Sequence, residues 1–206
     1  MNYTVRDYSI DIERLPEKTG EWYPELVSWN TTNRCNLRDH CYLVAGQPAE
    51  GELSFDEGCR LIDELAAAGT RMLILTGGEP MMRRDIVRLA AHASSKGLLV
   101  VLGTNGMLLN PRTVRELRSA GIAGAGISLD SLDSKNHDDF RGVPGAWEGA
   151  VDGIRTCVAQ SLPVLLQMTL LPWNYDEVVD MMEFAHREGV TGFTLYFLVC
   201  TGRGEQ

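Results

Sequence analysis

Met72-Leu-Ile-Leu-Thr-Gly-Gly-Glu-Pro80 joins a short apolar run to a glycine-rich polar bend, and the reading of this stretch decides the fold. Met72 to Leu75 has the length and composition of a buried strand. In the bend that follows, two glycines let the backbone approach a ligand closely, and Glu79 offers an acceptor to a cation such as an ammonium group. Taken alone, the same bend is also an ordinary turn.

Five more runs of this kind punctuate the chain: Leu26 to Trp29, Leu98 to Leu102, Ala123 to Leu129, Val164 to Leu171 and Phe193 to Val199. Helical segments with defined ends separate them. One opens at Ser54 with Glu57 in a capping box and closes before Gly69. Another runs from Met82 to Lys96. Asn110-Pro111 opens a third that Gly121 closes, Trp147 to Gln160 forms a fourth, and Asn174 and Glu177 open a fifth that ends at Gly189.

Strand and helix therefore alternate up to a sixth strand, which predicts an α/β protein with a parallel sheet. Right-handed crossovers open every strand's C-terminal end on one face, where ligands bind. The special residues fall there, in Thr31 to Tyr42, Thr76 to Pro80, Thr104 to Gly106 and Ser128 to Asp130. Periodicity leaves open whether the sheet curls like a barrel or lies open and doubly wound. Gly121, Gly124 and Gly126 precede a strand instead of opening a helix, which excludes a dinucleotide fingerprint.

The 206 residues are 44% hydrophobic and 23% charged, which excludes intrinsic disorder. A net charge of -9 without a basic block argues against binding along a nucleic-acid backbone. Met1 to Leu15 shows neither a secretory signal nor a membrane anchor, so a cytoplasmic protein without membrane attachment is expected. Five cysteines are an odd number and argue against a disulfide framework. Cys59 and Cys157 lie on core faces of helices, while Cys200 either packs or faces the mouth of the sheet. The tail from Thr201 to Gln206 follows an apolar run with no covering helix, so the chain reads as cut short after its sixth strand.

Cys35-Asn-Leu-Arg-Asp-His-Cys41 places two cysteines and a histidine on the loop after the first strand. Clustered thiolates there suit a soft metal or an iron-sulfur cluster, and inert packing is the alternative. With the Gly-Gly-Glu-Pro loop after the second strand, this pattern resembles the radical S-adenosylmethionine (SAM) superfamily, whose signature is C-x3-C-x2-C followed by that loop. The resemblance spans residues 25 to 203. It implies a partial (βα)6 TIM-like barrel over residues 24–206, lacking its C-terminal part, behind a lead-in segment at 1–23. The sequence at the end of the sixth strand, Phe197-Leu-Val-Cys-Thr-Gly-Arg-Gly204, is similar to the branch with a C-terminal cluster-binding extension, which includes haem-biosynthesis and peptide-modifying members.

The resemblance also implies an enzyme in which a 4Fe-4S cluster cleaves SAM to a 5'-deoxyadenosyl radical that abstracts hydrogen from a substrate, a tetrapyrrole or a peptide. By the same resemblance, Cys35 and Cys41 would bind iron and His40 would lie against the adenine. Gly77, Gly78 and Glu79 would hold the methionine ammonium, and Ser128, Asp130 and Arg141 would face the ribose or carboxylate. Asn105 is a further cofactor-binding candidate, although it also suits a Thr-Asn-Gly turn. Arg141 is equally suited to pairing with Asp138 or Asp139, and His40 to a surface loop. A reductant protein such as a ferredoxin or flavodoxin is the implied partner.

The cysteine loop is one residue shorter than the family pattern, and its middle cysteine is missing. A residue dropped from the recorded sequence, a disabled SAM-binding or partner-binding variant, and a cluster with a histidine, carboxylate or distant thiol as third ligand all remain open. A structural zinc site on Cys35, Cys41 and His40 is a further alternative.

Overall fold

The computed structural model describes residues 23–38 and 51–197. Six strands, β1 (Leu26–Asn30), β2 (Met72–Thr76), β3 (Leu99–Thr104), β4 (Ile122–Ser128), β5 (Val164–Leu170) and β6 (Gly192–Phe197), pair in parallel in their order along the chain. That order chooses between the two architectures left open by the sequence. Right-handed crossovers that all step the same way place every helix on one face, and the sheet curls into a half-barrel. A doubly wound sheet would reverse its strand order partway.

Six helices cover the outer face: α1 (Phe55–Ala67), α2 (Ile86–Ser95), α3 (Pro111–Ser119), α4 (Ser134–Arg141), α5 (Ala146–Ala159) and α6 (Val178–Arg187). Alternate strand residues such as Leu73, Leu75, Val100, Leu102, Ile127, Leu166 and Met168 are buried against Ile62, Leu89, Leu117, Ile154 and Met181. A fully buried side chain of this size contributes about 2 kcal/mol. Two of the expected caps are present, whereas Asn174 and Glu177 make no side-chain cap and the Asn174 side chain instead binds Leu171 N, Asp130 O and Thr169 O. Ser54 and Glu57 form the capping box of α1, and Asn110 caps α3 ahead of Pro111.

Three elements differ from expectation, the first being the helix expected from Asn174, which begins with a 3-10 turn at Tyr175–Glu177 and is α-helical only from Val178. The segment expected from Met82 begins with a single 3-10 turn, Pro80–Met82, and becomes α-helical only at Ile86. The reason lies at Glu79, whose side chain accepts the Met81 N–H and tightens the first turn. Between β4 and β5 stand two helices instead of one. The additional α4 carries few apolar residues, so periodicity does not announce it. Its N-terminus is instead capped by Asp133, which accepts from the Asn136 N–H.

Candidate functional site

The loops after β1 and β2 are knit together by backbone hydrogen bonds. Thr31 N donates to Thr76 O at 2.8 Å, Gly78 N to Thr32 O at 2.8 Å, and Glu79 N to Arg34 O at 2.7 Å. This ladder explains the paired glycines. A Cβ on Gly77 would stand 2.5 Å from Thr32 O, and one on Gly78 would stand 2.4 Å from Arg34 O. The close approach they permit is therefore to the cysteine-bearing loop itself. Arg83, which the sequence did not single out, supports the ladder from below. Its buried guanidinium donates to Thr31 O and Leu53 O, both at 2.8 Å, and pairs with Asp85 at 2.7 Å.

Cys35 sits on the knitted loop, partly buried, and its Sγ accepts from the Leu37 N–H at 3.4 Å. A backbone N–H aimed at sulfur suits a thiolate ligand. Cys59 and Cys157 belong elsewhere: burial raises both thiols, Cys157 to about 11, so neither supplies a ready thiolate. His40, Cys41 and Cys200 lie outside the described residues. Among the described residues no group of three or more potential ligands gathers to hold a metal. Cys35 thus fits one position of a cluster.

Glu79 is fully buried at the centre of the mouth. The Thr104 hydroxyl donates to its two oxygens at 2.8 and 3.0 Å, Asn105 N donates at 2.9 Å and Met81 N at 3.0 Å. Burial pushes its carboxyl above the ordinary range, opposed by those hydrogen bonds, and no charged neighbour contributes. Three donor groups thus serve a carboxylate that has about four acceptor sites. The Asn105 side chain continues the network outward, donating to Asn36 Oδ1 at 2.7 Å and accepting from Met107 N at 3.1 Å. Asn105 both shapes its own turn and ties the third loop to the first.

On the other side of the mouth, Ser128 ends β4, partly exposed. Asp130 is fully buried and differently engaged. Its Oδ2 receives Arg141 Nε at 2.7 Å and Nη2 at 2.6 Å, and its Oδ1 receives Thr169 N at 2.9 Å. Its backbone carbonyl accepts from Asn174 Nδ2 at 2.8 Å, and its backbone N–H reaches His137 Nδ1 at 3.2 Å. Arg141 therefore pairs with Asp130, and not with Asp138 or Asp139. Asp138 instead accepts the Gly145 and Trp147 N–H groups. The Arg38 N–H donates to Arg141 O at 3.1 Å, so the first loop is also fastened to α4. Asn36, Thr104 and Arg83 are the site residues that motif reading passed over. Asn36 and Thr104 lie inside the quoted motifs, while Arg83 carries no signal of its own.

Residues 29–185 match the pattern of the Radical SAM superfamily. An AdoMet-dependent heme synthase of Methanosarcina barkeri is 40% identical over 186 residues, covering 89% of this chain and 53% of that protein. The Fe-coproporphyrin III synthase of the same organism is 36% identical, with 97% and 51% covered. The sporulation killing factor maturation protein SkfB of Bacillus subtilis is 31% identical, with 90% and 45% covered. The chain spans about half the length of these curated relatives. Among solved structures, Streptococcus suis SuiB bound to S-adenosylmethionine superposes with a TM-score of 0.77 at 18% identity, covering 86% of this chain and 41% of that one. This last likeness concerns the fold alone. With the half-barrel, the knitted mouth and the family pattern in agreement, the chain belongs to the radical SAM superfamily.

Proposed function

We propose that this chain is the catalytic barrel of a radical SAM enzyme acting on a tetrapyrrole or a peptide. The observation that supports the reading is the mouth itself, where the loop that carries Cys35 and the loop that carries the buried Glu79 are joined by a backbone ladder. When bound, a reduced 4Fe-4S cluster supplies the electron that cleaves SAM to a 5'-deoxyadenosyl radical, which removes a hydrogen atom from the substrate.

The chain's own residues bind and orient. Cys35 and Cys41 would take iron, and His40 would lie against the adenine. Glu79 would hold the methionine ammonium, with Gly77 and Gly78 keeping its loop against the first. Ser128 and Arg141 face the ribose or carboxylate, and Asp130 serves by holding the Arg141 guanidinium. Asn105 keeps the first and third loops in register. A ferredoxin or flavodoxin is the proposed reductant. No described helix is long and apolar enough to cross a membrane.

Anaerobic reconstitution with iron and sulfide, followed by metal counting, tests the reading. About four irons per chain and a reducible cluster are expected. Zinc alone would favour a structural site, and no metal would favour a disabled SAM-binding barrel. An intact mass one cysteine residue heavier than the sequence would restore the missing ligand.

A further inference from the structure

None of the six described strands carries Asp, Glu, Lys, Arg or His, so the wall of the half-barrel is built of neutral residues. Its inner face is nevertheless polar in one place. Leu166 and Met168 are buried on the helix side of β5, which turns Gln167 and Thr169 inward. Phe193 packs with the core, which turns Thr194 and Tyr196 inward on β6. Gln167 stands in register with Ser128, and Tyr196 stands in register with Thr169 nearer the mouth. A hydroxyl, an amide and a phenol thus form a row leading from the proposed cofactor position toward the open edge.

Within that row the Gln167 amide nitrogen donates to the Tyr196 hydroxyl at 3.1 Å. This bond uses one of two amide hydrogens and one lone pair of the phenol, so an amide N–H and the phenol O–H remain to donate. Tyr196 is 48% exposed, so the pair is reachable. Gly126 on the neighbouring strand makes the arrangement possible, since a Cβ there would stand 2.7 Å from Gln167 Nε2. Two adjacent donors suit an oxygen pair with many acceptor sites; the strands carry no anion, and Asp130, which accepts from Thr169 N beside Tyr196, is paired with Arg141.

Resting on the reading above, we propose that Gln167 and Tyr196 form a substrate subsite that takes a carboxylate arm, which aligns with a tetracarboxylate tetrapyrrole. Arg34 and Arg38, exposed on the first loop, add positive charge at the rim.

The test is an absorbance titration of the purified chain with iron coproporphyrin III and with its tetramethyl ester, in wild type, Tyr196→Phe and Gln167→Leu. Wild type is expected to bind the free acid more tightly than the ester. Each substitution should weaken binding of the acid about tenfold while leaving the ester nearly unchanged. Melting temperatures verify that both variants fold, since each side chain is partly exposed and replaced by one of similar size. Failure of wild type to bind the acid, or variants that bind it as wild type does, overturns the subsite. The titration requires neither cluster nor SAM cleavage, so its failure is distinct from a failed iron count.

Discussion

Two carboxylates are fully buried at the mouth of this half-barrel, and they are satisfied in opposite ways. Asp130 is neutralised from within by Arg141 and anchors β5 through Thr169 N. Glu79 receives only neutral donors from its own and the third loop. A buried charge without a countercharge is costly, and burial raises the Glu79 carboxyl accordingly. The contrast separates a carboxylate paired with an internal cation from one held by neutral donors alone, the one proposed to meet a cationic ligand. Sequence motifs place both carboxylates in one class of cofactor contact, whereas their environments divide them.

Removing one partner of the internal pair is expected to have the largest effect. Asp130→Ala leaves the half-buried Arg141 guanidinium without its carboxylate, and a loss of about 3 kcal/mol is expected in denaturant unfolding. A loss below about 1 kcal/mol would show that Asp130 is no structural hub and would return it to the ligand-facing class.

Glu79→Gln should be milder, about 2 kcal/mol, because an amide cannot accept from both Asn105 N and Met81 N on its two ends. Its pH dependence carries the sharper information. With the folded carboxyl raised above 4.5, the folded chain keeps a proton over a window in which the unfolded chain has released it. Wild-type stability therefore falls as pH climbs from about 4.5 through the raised value. Glutamine lacks this loss, so the difference between variant and wild type should narrow with rising pH. A constant or widening difference would place a countercharge beside Glu79.

Asn105→Ala removes the tie to Asn36 and should cost about 1 kcal/mol. It should also lower iron incorporation relative to wild type, because the first loop loses one of its fastenings. Full incorporation would confine Asn105 to shaping its own turn. Smallest of all is the surface pair of Arg155 and Glu188, which repeats the Asp130–Arg141 chemistry in solvent. Arg155→Gln is expected to cost about 0.5 kcal/mol or less, lost in high salt.

The strands were legible because each is a short apolar run whose ends agree with the structure within a few residues. The capping residues Ser54 and Asn110 act locally, which is why they mark helix starts correctly. Helix α4 was not legible, since its charged sequence is held by a cap and by the Asp130 hub. The pairing of Arg141 with Asp130 was equally hidden: nearer acidic residues, Asp138 and Asp139, compete for attention in the sequence, and only the chain's path selects among them. The Gly-Gly-Glu-Pro loop was recognisable as a motif, while the reason for its glycines, a neighbouring backbone 2.4 to 2.5 Å from where a Cβ would be, belongs to tertiary structure.

The sequential order of the strands bears on how the protein is made. Each strand pairs with the one synthesised just before it, so every βα unit can dock on a platform already present when it leaves the ribosome. No strand has to be inserted between two earlier ones. Growth adds to one edge at a time, and a nascent chain paused between units holds a narrower sheet with the same handedness and the same open edge.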